Sequence, residues 1–187
     1  MFEHKGTREI CTARLILRRF RAGDHDAMYQ NYTSDPAVAR YVTWQKHESP
    51  AVTEAYLSTV LAHYESADAY RWAIEYAGEL IGAIDAVKVD TANESCEIGY
   101  CMGSKWWGKG IMTEALRGVI GYLFTVPQFY CVHAYHHDQN PASGRVMEKA
   151  GMLFEGSLRA RRKEKDGTFH ALKHYSILHD EFMEAQS

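Results

Sequence analysis

The sequence is short of several things at once, and each scarcity narrows what the chain can be. No apolar stretch approaches the length of a membrane span, and the N-terminal MFEHKGTREICTARLILRRF holds no run of signal-peptide length. No membrane association is expected, and the reading is cytoplasmic. Cysteine occurs four times, at positions 11, 96, 101 and 131, with neither CxxC spacing nor a disulfide framework, which suits a reducing compartment. Cys96, Cys101 and Cys131 read as small strand residues. The rival reading, a nucleophilic cysteine, has no neighbour in sequence that would lower its pKa. A basic excess is also missing: 21 Lys plus Arg stand against 24 Asp plus Glu, a formal net charge of −3. That argues against nucleic acid as a partner. Repeats, low-complexity tracts and flexible linkers are absent. Proline occurs only four times, each time near the start or end of a predicted element.

What remains is one domain's worth of chain, 1–187, with 46% hydrophobic residues and enough length for one sizeable core. Leu15–Phe20 reads as a strand, followed by a helical segment through Tyr32 with Asp24 as its N-cap. Pro36 opens a short helix through about Tyr41. From Pro50 to about Glu65, apolar residues at Val52, Ala55, Tyr56, Val60, Leu61 and Tyr64 predict a surface helix with one buried face. Strands at Tyr70–Tyr76, Leu80–Val89 and Cys96–Met102 form an antiparallel meander. A helix with a wide apolar face, from Ile111 to Phe124, ends before Pro127. The remainder reads as a strand at Tyr130–His136, a helix at Pro141–Ala150 capped by Gly151, and a hairpin of Met152–Arg162 with Phe169–Leu178 around Lys165-Asp166-Gly167-Thr168. This order predicts a mixed α/β (α+β) architecture, a mostly antiparallel sheet flanked by helices.

The segment EIGYCMGSKWWGKGIMTEA (97–115) organises the rest. A strand runs into a turn with Gly103, Gly108 and Gly110, and the turn opens directly onto a helix. Glycines let the backbone take φ > 0, and the unpaired N–H groups of a first helical turn face outward at the positive end of the dipole. A phosphate or pyrophosphate is the expected occupant. Gly103-xxxx-Gly108-Lys109 fits most of a P-loop, but Gly110 stands where a Ser or Thr must hold magnesium. Gly108-x-Gly110-x-x-Thr113 resembles a dinucleotide fingerprint, with Thr113 where close packing wants Gly or Ala.

Lys105-Trp106-Trp107-Gly108-Lys109-Gly110 resembles the (Gln/Arg)-x-x-Gly-x-(Gly/Ala) turn of the GCN5-related N-acetyltransferases. The RimJ/RimL type, with Trp-Gly-x-Gly-x-x-Thr-Glu-Ala, is more similar still. Lys105 departs from the family's Gln or Arg. A second motif, Asn140-Pro141-Ala142-Ser143-Gly144-Arg145-Val146-Met147, resembles the family's Asn-x-x-Ser segment and following helix. The resemblance implies a sheet splayed between the fourth and fifth strands to hold acetyl-coenzyme A as cosubstrate. It also implies an amine acceptor, and the assembly could be a homodimer.

On that resemblance, backbone N–H groups of Trp107, Gly108, Lys109, Gly110, Ile111 and Met112 hold the pyrophosphate, with the Thr113 hydroxyl as a further donor. Glu97 is the candidate base for the amine, directly or through water; its plain alternative is an exposed strand glutamate. Asn140 is expected to bond the pantetheine or a reacting group, or simply to make an Asx turn. Ser143 is expected to protonate the departing thiolate, because Met147 stands near where many relatives carry a tyrosine. Arg145 and Lys149 could reach the 3′-phosphate, or be a solvated helix face. Trp106 and Trp107 either anchor the loop or cover a ligand. Among His133, His136, His137 and Asp138 the strand alternation sends His136 to the opposite face, so ligands do not converge locally and no metal is expected. His136 could relay a proton if it faced the cleft, and His170 and His174 could line the acceptor side.

The function expected is acetyl transfer from acetyl-coenzyme A to a primary amine, a protein N-terminus or a small molecule, by direct attack. A non-catalytic acyl-coenzyme A sensor and a P-loop-like nucleotide-binding protein are the alternatives.

Overall fold

A single eight-stranded sheet runs through the computed structural model, which describes residues 2–186. Its strands are β1 (Ile10–Cys11), β2 (Leu15–Arg18), β3 (Arg71–Tyr76), β4 (Glu79–Asp90), β5 (Ser95–Met102), β6 (Cys131–His137), β7 (Leu153–Lys163) and β8 (Phe169–Leu178). The order is β1-β2-β3-β4-β5-β6-β8-β7. All neighbours are antiparallel except β5 and β6, which run parallel. The helices are α1 (His25–Met28), α2 (Pro36–Ala39), α3 (Pro50–His63), α4 (Ile111–Thr125), α5 (Pro141–Lys149) and α6 (His179–Glu184).

Strand alternation divides the apolar residues between two cores. Trp72, Ile74, Ile84, Ile98 and Val132 point to one face, where α4 lays down Ile111, Met112, Ala115, Leu116, Val119, Ile120 and Leu123. Each of those α4 residues is almost fully buried, so truncating one such as Leu116 to Ala would cost about 2–5 kcal/mol. A smaller core on the other face joins Phe20, Met28, Tyr32, Val38, Leu57, Val60, Ala73 and Leu80.

Two local expectations are corrected there. Asp24 does stand at the N-cap position of α1, but its side chain makes no cap bond and the helix is not continuous through Tyr32. Its carboxylate accepts from the Arg18 guanidinium at 2.8 and 3.0 Å and from the Arg21 N–H at 2.7 Å. The chain passes through a short 3-10 turn (Ala22–Asp24), α1, and a π-helical turn (Tyr29–Thr33). On α3, Val52 and Tyr56 are exposed, and the buried stripe is Thr53, Leu57 and Val60. Thr53 goes inward because its hydroxyl meets Thr33 Oγ1 at 3.0 Å and His47 Nδ1 at 2.8 Å, a polar anchor that apolar periodicity does not register.

The functional feature of the sheet is where pairing stops. β5 and β6 pair only at Ser95↔Cys131, Cys96↔Val132 and Glu97↔His133. β5 continues to Met102 and β6 to His137, so the two strands part beyond Glu97. On the other side of β5, the register with β4 shifts between Ala86 and Lys88. The bulge brings Lys88 opposite Glu97.

Candidate active site

The mouth of this opening is the glycine turn. Gly108 and Gly110 both have positive φ, +74° and +73°, which residues with a Cβ adopt only at a cost. Gly110 is the N-cap of α4, and no side chain caps the helix, so the first-turn N–H groups stay open. The turn is braced from behind. Glu114 accepts from Thr12 Oγ1 at 2.6 Å and from the Arg14 N–H at 2.8 Å, and Arg14 Nη1 donates to the Lys109 carbonyl at 3.2 Å. Burial alone would raise the Glu114 carboxyl, but the bonds from Thr12 and Arg14 hold it below its ordinary value. Ile111 and Met112 bury their side chains and offer only backbone to a ligand. Thr113 and Gly110 line a cavity of about 550 Å³ together with Arg14, Arg117 and Lys149. Glu114 lines the same cavity and pairs with Arg14 Nε at 2.7 Å, and the positive charge left over beside the open N–H groups fits a polyphosphorylated ligand.

The residues around the turn divide unevenly. Trp106 is buried in the main core, whereas Trp107 is 50% exposed and tethered by its indole N–H to the Met102 carbonyl at 2.7 Å. Lys105 lies 4.0 Å above the Trp106 ring and donates to Asn31 Oδ1 at 3.1 Å and Glu79 Oε1 at 3.2 Å. Its ammonium is therefore committed to α1's side of the sheet rather than to the turn. Arg145 is exposed on α5 and does not line the cavity that Lys149 and Arg117 share.

Along the opening, Glu97 sits at the closed end, buried, with its Oε2 3.2 Å from Lys88 Nζ. Across the gap, Asn140 caps α5 by accepting the Ser143 N–H on its side chain at 3.4 Å. Asn140 thus makes the Asx-type turn. Ser143 is bridged to β5 by Tyr100, whose hydroxyl lies 2.9 Å from Ser143 Oγ and 3.1 Å from the Ser143 carbonyl. Burial pushes the Tyr100 phenol well up, even though the Ser143 bond works the other way. Sequence reading did not single out Tyr100. Its only signal was an aromatic on the strand that delivers the chain to the turn.

The histidines are sorted by the β6–β8 pairing. His133 and His174 lie on the Glu97 face, and both are shifted down, first by burial and then partly back up by Glu97. His136 faces α5 and not the acceptor side: it packs on Tyr175 and its Nδ1–H donates to the His137 carbonyl at 2.7 Å. A Cβ on Gly144 would come within 2.6 Å of His136 Nε2, so the glycine allows α5 to sit this low. His137, Asp138 and His170 converge, their candidate ligand atoms within 4.8 Å of one another, because β8 brings His170 beside Asp138. Hydrogen bonds account for the grouping. His137 Nδ1 accepts the Gln139 N–H at 3.0 Å, and Asp138 accepts from His170 Nδ1 and the Ala171 N–H, each at 3.1 Å.

Comparison with known proteins agrees with this fold. Residues 14–153 match the family model described as the acetyltransferase (GNAT) domain. The chain is 31% identical over 169 residues to the uncharacterized N-acetyltransferase YoaA of Bacillus subtilis, covering 89% of this chain and 94% of that one. It is 30% identical over 175 residues to the uncharacterized N-acetyltransferase p20 of Bacillus licheniformis, covering 92% and 97%. In fold it is similar to RimL, a ribosomal L7/L12 alpha-N-protein acetyltransferase solved with coenzyme A: TM-score 0.83, 19% identity, 91% of this chain and 98% of that one. Among the described residues no helix is long and apolar enough to cross a membrane. The chain belongs to the GNAT family of acetyltransferases and is an acetyl-coenzyme A dependent acyltransferase of that family.

Proposed function

We propose that the chain, acting as one domain over 1–187, acetylates a primary amine at the opening between β5 and β6. The observation that carries this reading is the stop in the β5–β6 pairing, with candidate groups on both faces of the opening. The glycine turn lies at the mouth, Glu97 at the closed end, and the Tyr100–Ser143 pair spans the gap. The coenzyme A bound to the RimL neighbour supports the same ligand here.

Backbone N–H groups from Gly108 to Met112, with Thr113 Oγ1, hold the pyrophosphate; the Trp107 N–H, expected among them, is instead given to the Ser104 carbonyl at 3.1 Å. Arg14, Arg117 and Lys149 face the remaining phosphate charge from the cavity walls. Lys149 suits this role better than Arg145, which lies outside the cavity. When bound, acetyl-coenzyme A supplies an activated carbonyl that the amine attacks directly. Glu97 accepts the proton the amine must lose, directly or through water, and the Ser143 hydroxyl gives a proton to the departing sulfur. The N–C bond forms, the C–S bond breaks, and the amine's proton and the thiol's proton balance. No step asks for a metal ion or a covalent enzyme intermediate.

The setting is cytoplasmic on this reading, with a protein N-terminus or a small-molecule amine as acceptor. A homodimer, if formed, would be visible by sedimentation velocity in the same preparation. The test is release of free thiol from acetyl-coenzyme A with a panel of amines, each product checked by mass. Thiol release that depends on amine, and is lost in Glu97→Gln, supports the reading. Acetyl-coenzyme A binding without transfer to any amine would replace it with that of an acyl-coenzyme A sensor.

A further inference from the structure

A β-bulge puts an amine against Glu97. Ala86 pairs with Ile98 and Lys88 with Glu97, so Val87 is the extra residue and Lys88 lands directly opposite the buried carboxylate. Residues opposite each other on neighbouring strands share a face, with Cβ atoms about 4.5–5.5 Å apart. The Lys88 ammonium closes that gap, its Nζ lying 3.2 Å from Glu97 Oε2. Without the extra residue, Val87 would stand opposite Glu97, and β4 would offer it no amine.

Lys88 differs in this from the other paired lysines. Four lysine–carboxylate pairs form among the described residues. Lys5, Lys46 and Lys105 pair with exposed side chains: Glu3 at 75%, Glu48 at 74% and Glu79 at 51%. Glu97 is only 10% exposed, while Lys88 itself is 74% exposed. A side chain that lies mostly in solvent thus brings its charged end to a buried carboxylate. On the other side of Glu97 stands His133, its pair on β6. Burial shifts His133 and His174 down, so at neutral pH the cation at this carboxylate is Lys88.

Taking Glu97 as the group that accepts the amine's proton fixes where an acceptor nitrogen must be, within hydrogen-bond reach of the carboxylate or one water away. Lys88 Nζ already meets that condition. Resting on that reading, we propose that Lys88 is an internal acceptor, acetylated by the protein's own site when no external amine is present. Glu97 takes a proton from the Lys88 ammonium, and the freed Nζ attacks the thioester carbonyl of acetyl-coenzyme A. The N–C bond forms and the C–S bond breaks. Of the two protons the nitrogen gives up, one is matched by the proton Ser143 gives to the departing sulfur, and the other passes through Glu97 to solvent. An external amine must displace the Lys88 ammonium from Glu97 before it reacts, and once Lys88 is acetylated there is no ammonium left to displace.

The experiment incubates the unaltered protein with acetyl-coenzyme A and no amine, beside Glu97→Gln and Lys88→Arg, and follows intact and peptide masses over time. Thermal unfolding verifies that each variant is folded. The expected result is one acetyl group, on Lys88, gained at a rate per molecule that does not change with protein concentration. Glu97→Gln should slow that gain by about 10²-fold or more. Lys88→Arg should gain nothing at this position, because a guanidinium keeps its proton. The exposed Lys46 and Lys165 measure purely chemical acetylation and should behave alike in all three proteins. A primary amine that the protein acetylates, added in excess, should suppress the labelling of Lys88, a test that needs no variant. Labelling of Lys88 no faster than that of Lys46, or undiminished in Glu97→Gln or by excess amine, overturns the proposal; turnover of the external amine in the same preparation leaves the reading of Glu97 standing. A rate per molecule that rises with protein concentration assigns the transfer to a second molecule and overturns the internal acceptor. Acetyl-coenzyme A bound, with neither Lys88 nor any external amine acetylated, overturns the reading of Glu97 and the proposal with it.

Discussion

The hydroxyl of Tyr100, on β5, lies 2.9 Å from Ser143 Oγ, at the start of α5, across the gap where β5 and β6 no longer pair. This contact joins two elements 43 residues apart in sequence. Because burial holds the Tyr100 phenol protonated at working pH, it remains available as a donor that fixes the serine hydroxyl's direction. Ser143→Ala should lower kcat by about 10²-fold or more, with little change in KM for acetyl-coenzyme A. Tyr100→Phe should lower kcat by less, about 3- to 10-fold as the loss of one neutral hydrogen bond. Steady-state kinetics on both variants and the double variant test this, since groups acting as one unit give a double variant no worse than Ser143→Ala.

Glu97→Gln keeps the shape and the contact with Lys88 but cannot take a proton. It should cut kcat by about 10²- to 10⁴-fold, while the dissociation constant for acetyl-coenzyme A stays within a small factor. Lys88 is 74% exposed, so its ion pair with Glu97 is worth little to stability. Full turnover by Glu97→Gln at every pH would remove Glu97 from the reaction.

Gly110→Ala forces a Cβ into a backbone at φ +73°. The strain is about 1–2 kcal/mol, and the turn would relax away from the shape that presents its N–H groups. Calorimetry should show acetyl-coenzyme A binding about 10-fold weaker, with no matching loss for Gly23→Ala, where a Cβ meets nothing within 4 Å.

The Asp85 carboxyl is raised from 3.8 to about 6, by burial against the partial help of Arg71. Between those values the folded protein holds more protons than the unfolded chain, so stability falls as pH rises through the window and the full cost applies above about 6. That cost is on the order of 3 kcal/mol. Asp85→Asn should therefore raise the unfolding midpoint by roughly 6–12 °C at neutral pH and hardly at all near the unfolded carboxylate pKa. A midpoint that gains equally at both pH values would mean the gain comes from something other than the buried charge.

The sequence carried the scaffold well where one physical signal dominated. α4 has so broad an apolar face that its span, Ile111–Thr125, was legible within a residue. The glycines at 108 and 110 announced their positive φ through their spacing before a helix. Legibility failed where two signals competed. Thr53 is polar but buried by its bonds to Thr33 and His47, so the first half of the stripe on α3 was placed one residue out, while Val60, Leu61 and Tyr64 do pack on the core. Asp24 looked like a cap, but the Arg18 guanidinium claims its carboxylate. The site's cross-chain contacts were not legible at all. Tyr100 meets Ser143, and His170 meets Asp138, only because of strand pairing and the stop in the β5–β6 ladder, and neither leaves a local trace. Asp85 is visible only as an acid in an apolar strand until its unpaired oxygen is seen.

The central claim is that the glycine turn and the opening behind it bind acetyl-coenzyme A, and thermal unfolding with that ligand, beside magnesium-ATP, tests it most directly. Ligand at about a hundred times its dissociation constant adds roughly 2.7 kcal/mol, which moves the midpoint of a domain this size by about 5–10 °C. The account predicts that shift with acetyl-coenzyme A, its fall to about half in Gly110→Ala at the same ligand concentration, and none with magnesium-ATP. A shift with magnesium-ATP and none with acetyl-coenzyme A would contradict it.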